Sequence, residues 1–188
     1  PQNETRALAV IQKARELVPA KPLRYLVNTH HHFDHSGGIR AAVAEGLTII
    51  TQEGNKALFE DIVARRHTIL PDALAKNPKP LMLETVKDKR VLQDGTHTLE
   101  LYHVPGNPHT ETMLMAYLPA ERLLIEADLF TPPAQNAPRP PGFPFAPNLL
   151  DNVQRNGLGV ARLLPIHGFI VPFANLQAAV QFEQAKAR

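Results

Sequence analysis

Leu8, Ile11, Leu17 and Val18 recur at helical spacing among Ala, Arg, Lys and Glu, which predicts an amphipathic helix over residues 4 to 18 that Pro19 and Pro22 bring to an end. The apolar run from Leu23 to Thr29 then reads as a buried strand, and Leu47-Thr48-Ile49-Ile50-Thr51, rich in β-branched residues, as a second. Ile39 to Ala44 between them fits a short helix, so strand, helix and strand predict a parallel βαβ unit. A helical pattern returns from Glu53 to about Ala64, and Pro71, Pro78 and Pro80 interrupt the connection that follows. Short strands are predicted around residues 81 to 86, 90 to 92, 99 to 104, 113 to 118 and 123 to 126, with turns at Asp94-Gly95 and Pro119-Ala120-Glu121. This middle region reads as mostly antiparallel. The prolines between residues 131 and 147 exclude regular helix or central strand and predict a long loop. A helix over residues 149 to 156, a strand over 162 to 166 and a closing helix over about 174 to 187 complete a chain read as one domain, 1–188.

The polar positions with chemical content concentrate where the first strand ends, in Thr29-His30-His31-His32-Phe33-Asp34-His35-Ser36-Gly37-Gly38. At strand period, His30 and His32 point to one side and can share an ion, while His31 points away. Asp34 and His35 fall where strand gives way to turn, placed to reach a second ion. Ser36-Gly37-Gly38 leads into the helix at Ile39, whose N–H groups face the same place. Three more candidates each follow an apolar run: His109 after Val104, Asp128 after Ile125-Glu126, and His167 after Pro165-Ile166. Ends of strands are where loops build sites on layered α/β scaffolds. His31, His67, His97 and His103 lie outside this pattern and read as packed or surface residues.

Composition changes the picture in three ways. The chain has no cysteine, so a metal must be held by His and carboxylate alone. A net charge of +2, with the basic residues scattered, argues against a nucleic-acid partner. No apolar run is long enough to span a membrane and no signal peptide is visible, although a start at Pro1 rather than Met points to a processed or truncated product. The compartment stays open.

The ordered combination of His-x-His-x-Asp-His with a later lone His, lone Asp and lone His resembles the metallo-β-lactamase superfamily from about residue 4 to residue 188. The resemblance implies an α/β fold of the metallo-β-lactamase-like αβ/βα sandwich type. It also implies that His30, His32 and His109 are ligands of a first metal, that Asp34, His35 and His167 are ligands of a second, and that Asp128 bridges them. The bridging Asp makes the chain look more like the hydroxyacylglutathione hydrolase and lactonase branches. Two departures stand out. Asn107-Pro108 separates Pro105-Gly106 from His109-Thr110, where the family usually has Pro-Gly-His-Thr, and only 29 residues precede His30, so the usual N-terminal strands are expected to be missing. An uncovered sheet would favour a homo-oligomer.

Imidazole and carboxylate suit Zn²⁺, with Fe or Mn able to occupy the same ligands. Two such ions lower the pKa of a shared water from about 15.7 toward about 7, making hydroxide that attacks a carbonyl or phosphoryl centre. Asp34 is the candidate for proton handling. Thr29 and Thr110 could bond the ligands, and Phe130, Phe143 and Phe145 could line an apolar substrate pocket. Three functions follow: a metal-dependent hydrolase of an ester, thioester, lactone or β-lactam acting on a small-molecule substrate; a phosphodiesterase or nuclease; or a metal-binding protein without turnover.

Overall fold

The computed structural model describes residues 1–134 and 142–186, which form two compact units, Pro1–Lys87 and Asp88–Arg188. No helix among the described residues is long and apolar enough to cross a membrane.

In the first unit, helix α1 (Glu4–Leu17) starts where the Asn3 side chain accepts from the Arg6 N–H, and stops at Val18, just ahead of Pro19. Strand β1 is short, Tyr25–Val27, and pairs in parallel with β2 (Thr48–Gln52), Leu26 opposite Ile49. The expected βαβ unit is therefore present. Its connection holds α2 (Phe33–Ser36) and α3 (Ile39–Ala44). Helix α3 ends on Gly46 at φ +80°, with Gly46 N–H donating to Val43 and Leu47 N–H to Ala42, the paired bonds that close a helix through a left-handed residue. A 3₁₀ turn (Glu53–Asn55), α4 (Lys56–Ala64) and α5 (Ala73–Lys76) lead to β3 (Leu83–Val86). Ile11, Ile39, Val43, Phe59 and Leu74 from four helices meet Ile49 of β2 in one core, and burying side chains of this kind stabilises by about 1.5–3 kcal/mol each.

Two expectations change here. Strand β3 belongs to this sheet, in the order β1-β2-β3 and parallel to β2, not to the antiparallel region. A short apolar run carries no sign of its partner's direction, which the crossover through α4 and α5 decides. The strand before the histidines ends at Val27 rather than Thr29, and Tyr25 is exposed with Leu26 and Val27 only half-buried.

The second unit holds a six-stranded sheet in the order β4-β5-β6-β7-β8-β9. Strands β4 (Lys89–Gln93), β5 (Thr98–His103), β6 (Leu114–Leu118) and β7 (Leu123–Glu126) run antiparallel as predicted. The β4–β5 turn is held by Asp94 Oδ1, which accepts from the N–H groups of Thr96 and His97. Strand β8 (Arg162–Pro165) is parallel to β7, and β9 (Val171–Pro172), which the sequence did not announce, pairs with β8. Helix α6 (Ala146–Arg155) makes that parallel return, and α7 (Ala174–Lys186) packs against it over a core of Met115, Leu124, Leu163, Leu149 and Leu176. Helix α6 begins inside the stretch expected to be loop, because a proline in the first helical turn has no N–H to lose. Residues 135–141 of that stretch, and the predicted last residue of the closing helix, lie outside the described residues.

Candidate metal centre

The first unit gathers four of the predicted ligands on an irregular segment. After Asn28 N–H makes the last sheet bond, to Ile50 C=O at 2.8 Å, the chain leaves β2 and turns into the single turn of α2. The expectation that period 2 would align the histidines was wrong in its cause, since His30 and His32 are not in the strand. They nevertheless converge: His30 Nε2 and His32 Nδ1 are 3.1 Å apart, with the rings at 79° to one another. His30 is wholly buried, and its other ring nitrogen meets the Thr29 hydroxyl at 3.2 Å, the contact foreseen for Thr29. The His35 ring lies 4.2 Å from that of His30, and Asp34 Oδ2 approaches His35 Nε2 at 3.3 Å. The Ser36 hydroxyl donates toward the carbonyls of His31 and His32, tightening the turn. His31 sits with its ring edge-on to His32, as a packed neighbour.

The Gly37-Gly38 pair has a packing cause the sequence could not show. A Cβ on Gly38 would stand 2.6 Å from the Ala7 Cβ of α1, and one on Gly37 would stand 2.3 Å from the Gln2 carbonyl oxygen. Only glycine lets α1 and the segment before it close over the motif.

The second unit gathers the other three. Asp128 follows β7 with φ +64°, and its two oxygens serve different histidines: Oδ2 lies 3.0 Å from His109 Nε2 and Oδ1 3.0 Å from His167 Nε2. The two inserted residues before His109 have a purpose. Buried Asn107 accepts from His109 N–H at 2.9 Å and donates to Asn148 Oδ1 at 2.8 Å, while Asn148 donates to the carbonyls of Pro105 and Gly106. The loop is thereby tied to α6, and the departure from Pro-Gly-His-Thr aims His109 rather than displacing it. Thr110 shares its hydroxyl with Thr112.

Glu126 escaped the sequence reading altogether. It is wholly buried, its Oε2 accepts from the N–H groups of Leu129 and Phe130 at 3.0 and 3.3 Å, and its Oε1 has no hydrogen-bond partner. Burial, aided by the nearby charge of Asp128 and opposed by those two N–H groups, pushes its pKa up to about 8. A folded-state pKa above the unfolded value means that the stability Glu126 contributes is full below the usual 4.5 and is lost as pH rises through about 8. In metal-free protein, the fall in Tm between about pH 6 and about pH 9 is therefore expected to be smaller in Glu126→Gln than in the parent. Parallel pH profiles would show that this carboxyl does not titrate in that window.

The three phenylalanines line one cavity together with Asp128, as expected, and they pack differently within it. Phe130 is core, and the Phe143 ring packs on those of Phe130 and Phe182 at 5.5 and 6.1 Å, whereas Phe145 sits 5.1 Å from the His109 ring. Phe145→Ala is expected to raise KM for an apolar ester about tenfold with little change in Tm, and Phe143→Ala to lower Tm with KM kept. Steady-state kinetics beside thermal melts would reveal the reverse pattern if the assignment is wrong.

The remaining histidines are structural: His67 pairs with Asp72, His97 with Asp94 in the hairpin turn, and His103 with the Glu111 carbonyl. The donor chemistry of the seven predicted ligands fits a metal. Two imidazole nitrogens 3.1 Å apart, one on buried His30 and one on half-buried His32, hold at most one proton between them when neutral, and a cation satisfies both lone pairs. Histidine and aspartate side chains of this kind are able to bind a metal ion.

A family model described as the metallo-beta-lactamase superfamily matches residues 3–174, a span that contains all seven positions. No curated protein matches the chain. Among solved structures, TMB-1 superposes with a TM-score of 0.67 at 18% identity, covering 100% of this chain and 79% of that one. A metallo-beta-lactamase from Pontibacter korlensis gives 0.61 at 20% identity, covering 92% and 76%. A flavo di-iron protein mutant from Thermotoga maritima gives 0.64 at 17% identity, covering 95% of this chain and 47% of that one. At these identities the likeness is one of fold.

Proposed function

The chain belongs to the metallo-β-lactamase superfamily, and from that membership we propose that it is a metal-dependent hydrolase of a carbonyl substrate: an ester, thioester, lactone or β-lactam. In this reading His30, His32 and His109 hold one ion, Asp34, His35 and His167 hold a second, and Asp128 serves both. The observation that carries it is the Asp128 carboxylate, whose two oxygens each address a different imidazole at 3.0 Å. A carboxylate engaged on both sides is what a shared ligand requires.

When bound, the ions would supply a nucleophilic hydroxide near neutral pH and polarise the substrate carbonyl. The chain's own residues do the rest. Thr29 orients the His30 ring through Nδ1, and Asn107 holds the backbone that presents His109. Asp34 keeps its side chain 24% exposed beside buried His35, so it can hold a proton at its carboxylate and still pass it to solvent. Phe145 gives the His109 side an apolar wall. A net charge of +2 without a concentrated basic stretch favours a small, uncharged or weakly charged substrate over a polyanion.

Zinc is the metal of first choice for imidazole and carboxylate ligands, and iron is the second. The second rests on the same donor chemistry and on a fold neighbour described as a flavo di-iron protein. Elemental analysis of purified protein decides between them. Assays with nitrocefin, a nitrophenyl ester, an acyl-homoserine lactone and bis-nitrophenyl phosphate, with and without chelator, then test the reaction class. Chelator-sensitive turnover of a carbonyl substrate is expected. Turnover of the phosphodiester alone would move the assignment to a phosphodiesterase, and bound metal with no turnover to a metal-binding protein.

A further inference from the structure

We propose that Asn28 is a positioning residue: through a buried chain with Thr51 and Asn55 it holds the backbone of α2, and so sets the affinity of the ion that Asp34 and His35 would ligate. The inference rests on the two-ion reading above. Asn28, Thr51 and Asn55 are 2%, 0% and 2% exposed, three polar side chains sunk beside the apolar core of the first unit. Burying such groups is costly unless each is paired, and here each is. The Asn55 amide donates to the Thr51 hydroxyl at 3.0 Å, that hydroxyl donates to Asn28 Oδ1 at 3.1 Å, and the Asn28 amide donates to the His35 carbonyl at 3.3 Å. Every donor points the same way, toward α2, so each bond polarises the next.

The need for such a device follows from where β1 stops. Strand β1 ends at Val27, the Asn28 N–H bond to Ile50 comes just beyond it, and α2 begins at His32 without a side-chain cap bond. Ser36 braces the carbonyls of His31 and His32, at the front of the turn. Asn28 braces the carbonyl of His35, at its back. The chain therefore bears on Asp34 and His35 more directly than on His30, whose ring is set by Thr29. Aspartate at 28 would keep the shape and the acceptor for Thr51, yet would set an oxygen against the His35 carbonyl.

The test is Zn²⁺ titration of metal-free protein by calorimetry, with folding matched by circular dichroism. The parent is expected to take two equivalents. Asn28→Asp and Thr51→Val are each expected to weaken one equivalent by about 10–100-fold and to leave the other within roughly threefold, and Thr51→Ser to restore both. In a His35→Ala background, which lacks the affected equivalent, Asn28→Asp is expected to change nothing further. Should Asn28→Asp fail to fold, Thr51→Val, nearly equal in shape, carries the comparison. Equal loss at both equivalents, or unchanged affinity in the folded variants, overturns the positioning role and leaves the two-ion reading standing. A parent that binds neither Zn²⁺ nor Fe²⁺ overturns both.

Discussion

Asp128→Asn is expected to abolish binding of both ions and to lower kcat/KM by about 10³-fold or more, because one carboxylate serves both halves of the proposed centre. Asparagine is the right substitution to read this. Asp128 sits in the left-handed region at φ +64°, which asparagine tolerates nearly as well as glycine, so the backbone stays and only the charge and one oxygen go. A neutral amide with a single oxygen then replaces the carboxylate whose two oxygens lie 3.0 Å from His109 and from His167. Elemental analysis beside kinetics checks the result. Retention of two ions, or activity within tenfold of the parent, would show that the carboxylate is not shared.

The largest effect on stability is expected at Arg40. Its guanidinium reaches both oxygens of Asp72, at 2.5 and 3.0 Å, and donates to the carbonyls of Ile62, Val63 and Arg65, while its side chain is only 11% exposed. One side chain thus ties α3 to the end of α4 and to the start of α5, where Asp72 also caps the helix through Ala75 N–H. Arg40→Ala takes the guanidinium from three carbonyls and from Asp72, which keeps Ala75 N–H and His67, and should destabilise by about 3 kcal/mol, beyond the ~1 kcal/mol of an exposed ion pair. The guanidinium's hydrogen bonds hold the Asp72 pKa down at about 2. Its contribution is thus full above the ordinary carboxylate value and is lost only as pH falls through about 2. A thermal melt of the variant should shift down by roughly 10 °C, and a shift of a degree or two would make Arg40 an ordinary surface residue.

Much of the candidate site could be read in the chain because metal chemistry restricts residue types so strongly. His30, His32, Asp34 and His35 crowd into six positions, and a chain without cysteine has only His and carboxylate with which to hold such an ion. His109, Asp128 and His167 each follow a strand or its end, and those strands are found where their apolar runs lie. The groups that hold these ligands were not legible. Asn28, Asn107 and Glu126 are ordinary polar residues in sequence, and nothing in their spacing reports that they are buried or which backbone groups they reach. Prolines misled the reading of Ala146 and Pro147, since a proline that breaks a helix inside starts one at its first turn.

The sequence by itself determined which His and Asp side chains are candidate ligands, the helices with clear periodicity, and the parallel βαβ start, because these depend on residue chemistry and on local repeats of 3.6 and 2. Only the tertiary structure decided that β3 lies beside β2 and that β8 runs parallel to β7, since strand direction is set by crossovers. It also decided why His30 and His32 meet. The strand expected to align them ends three residues earlier, and the rings are brought together by a turn braced by Ser36 and Asn28 and roofed through Gly37 and Gly38. Long-range hydrogen bonds and close backbone approach set that turn, and neither leaves a periodic trace in the sequence.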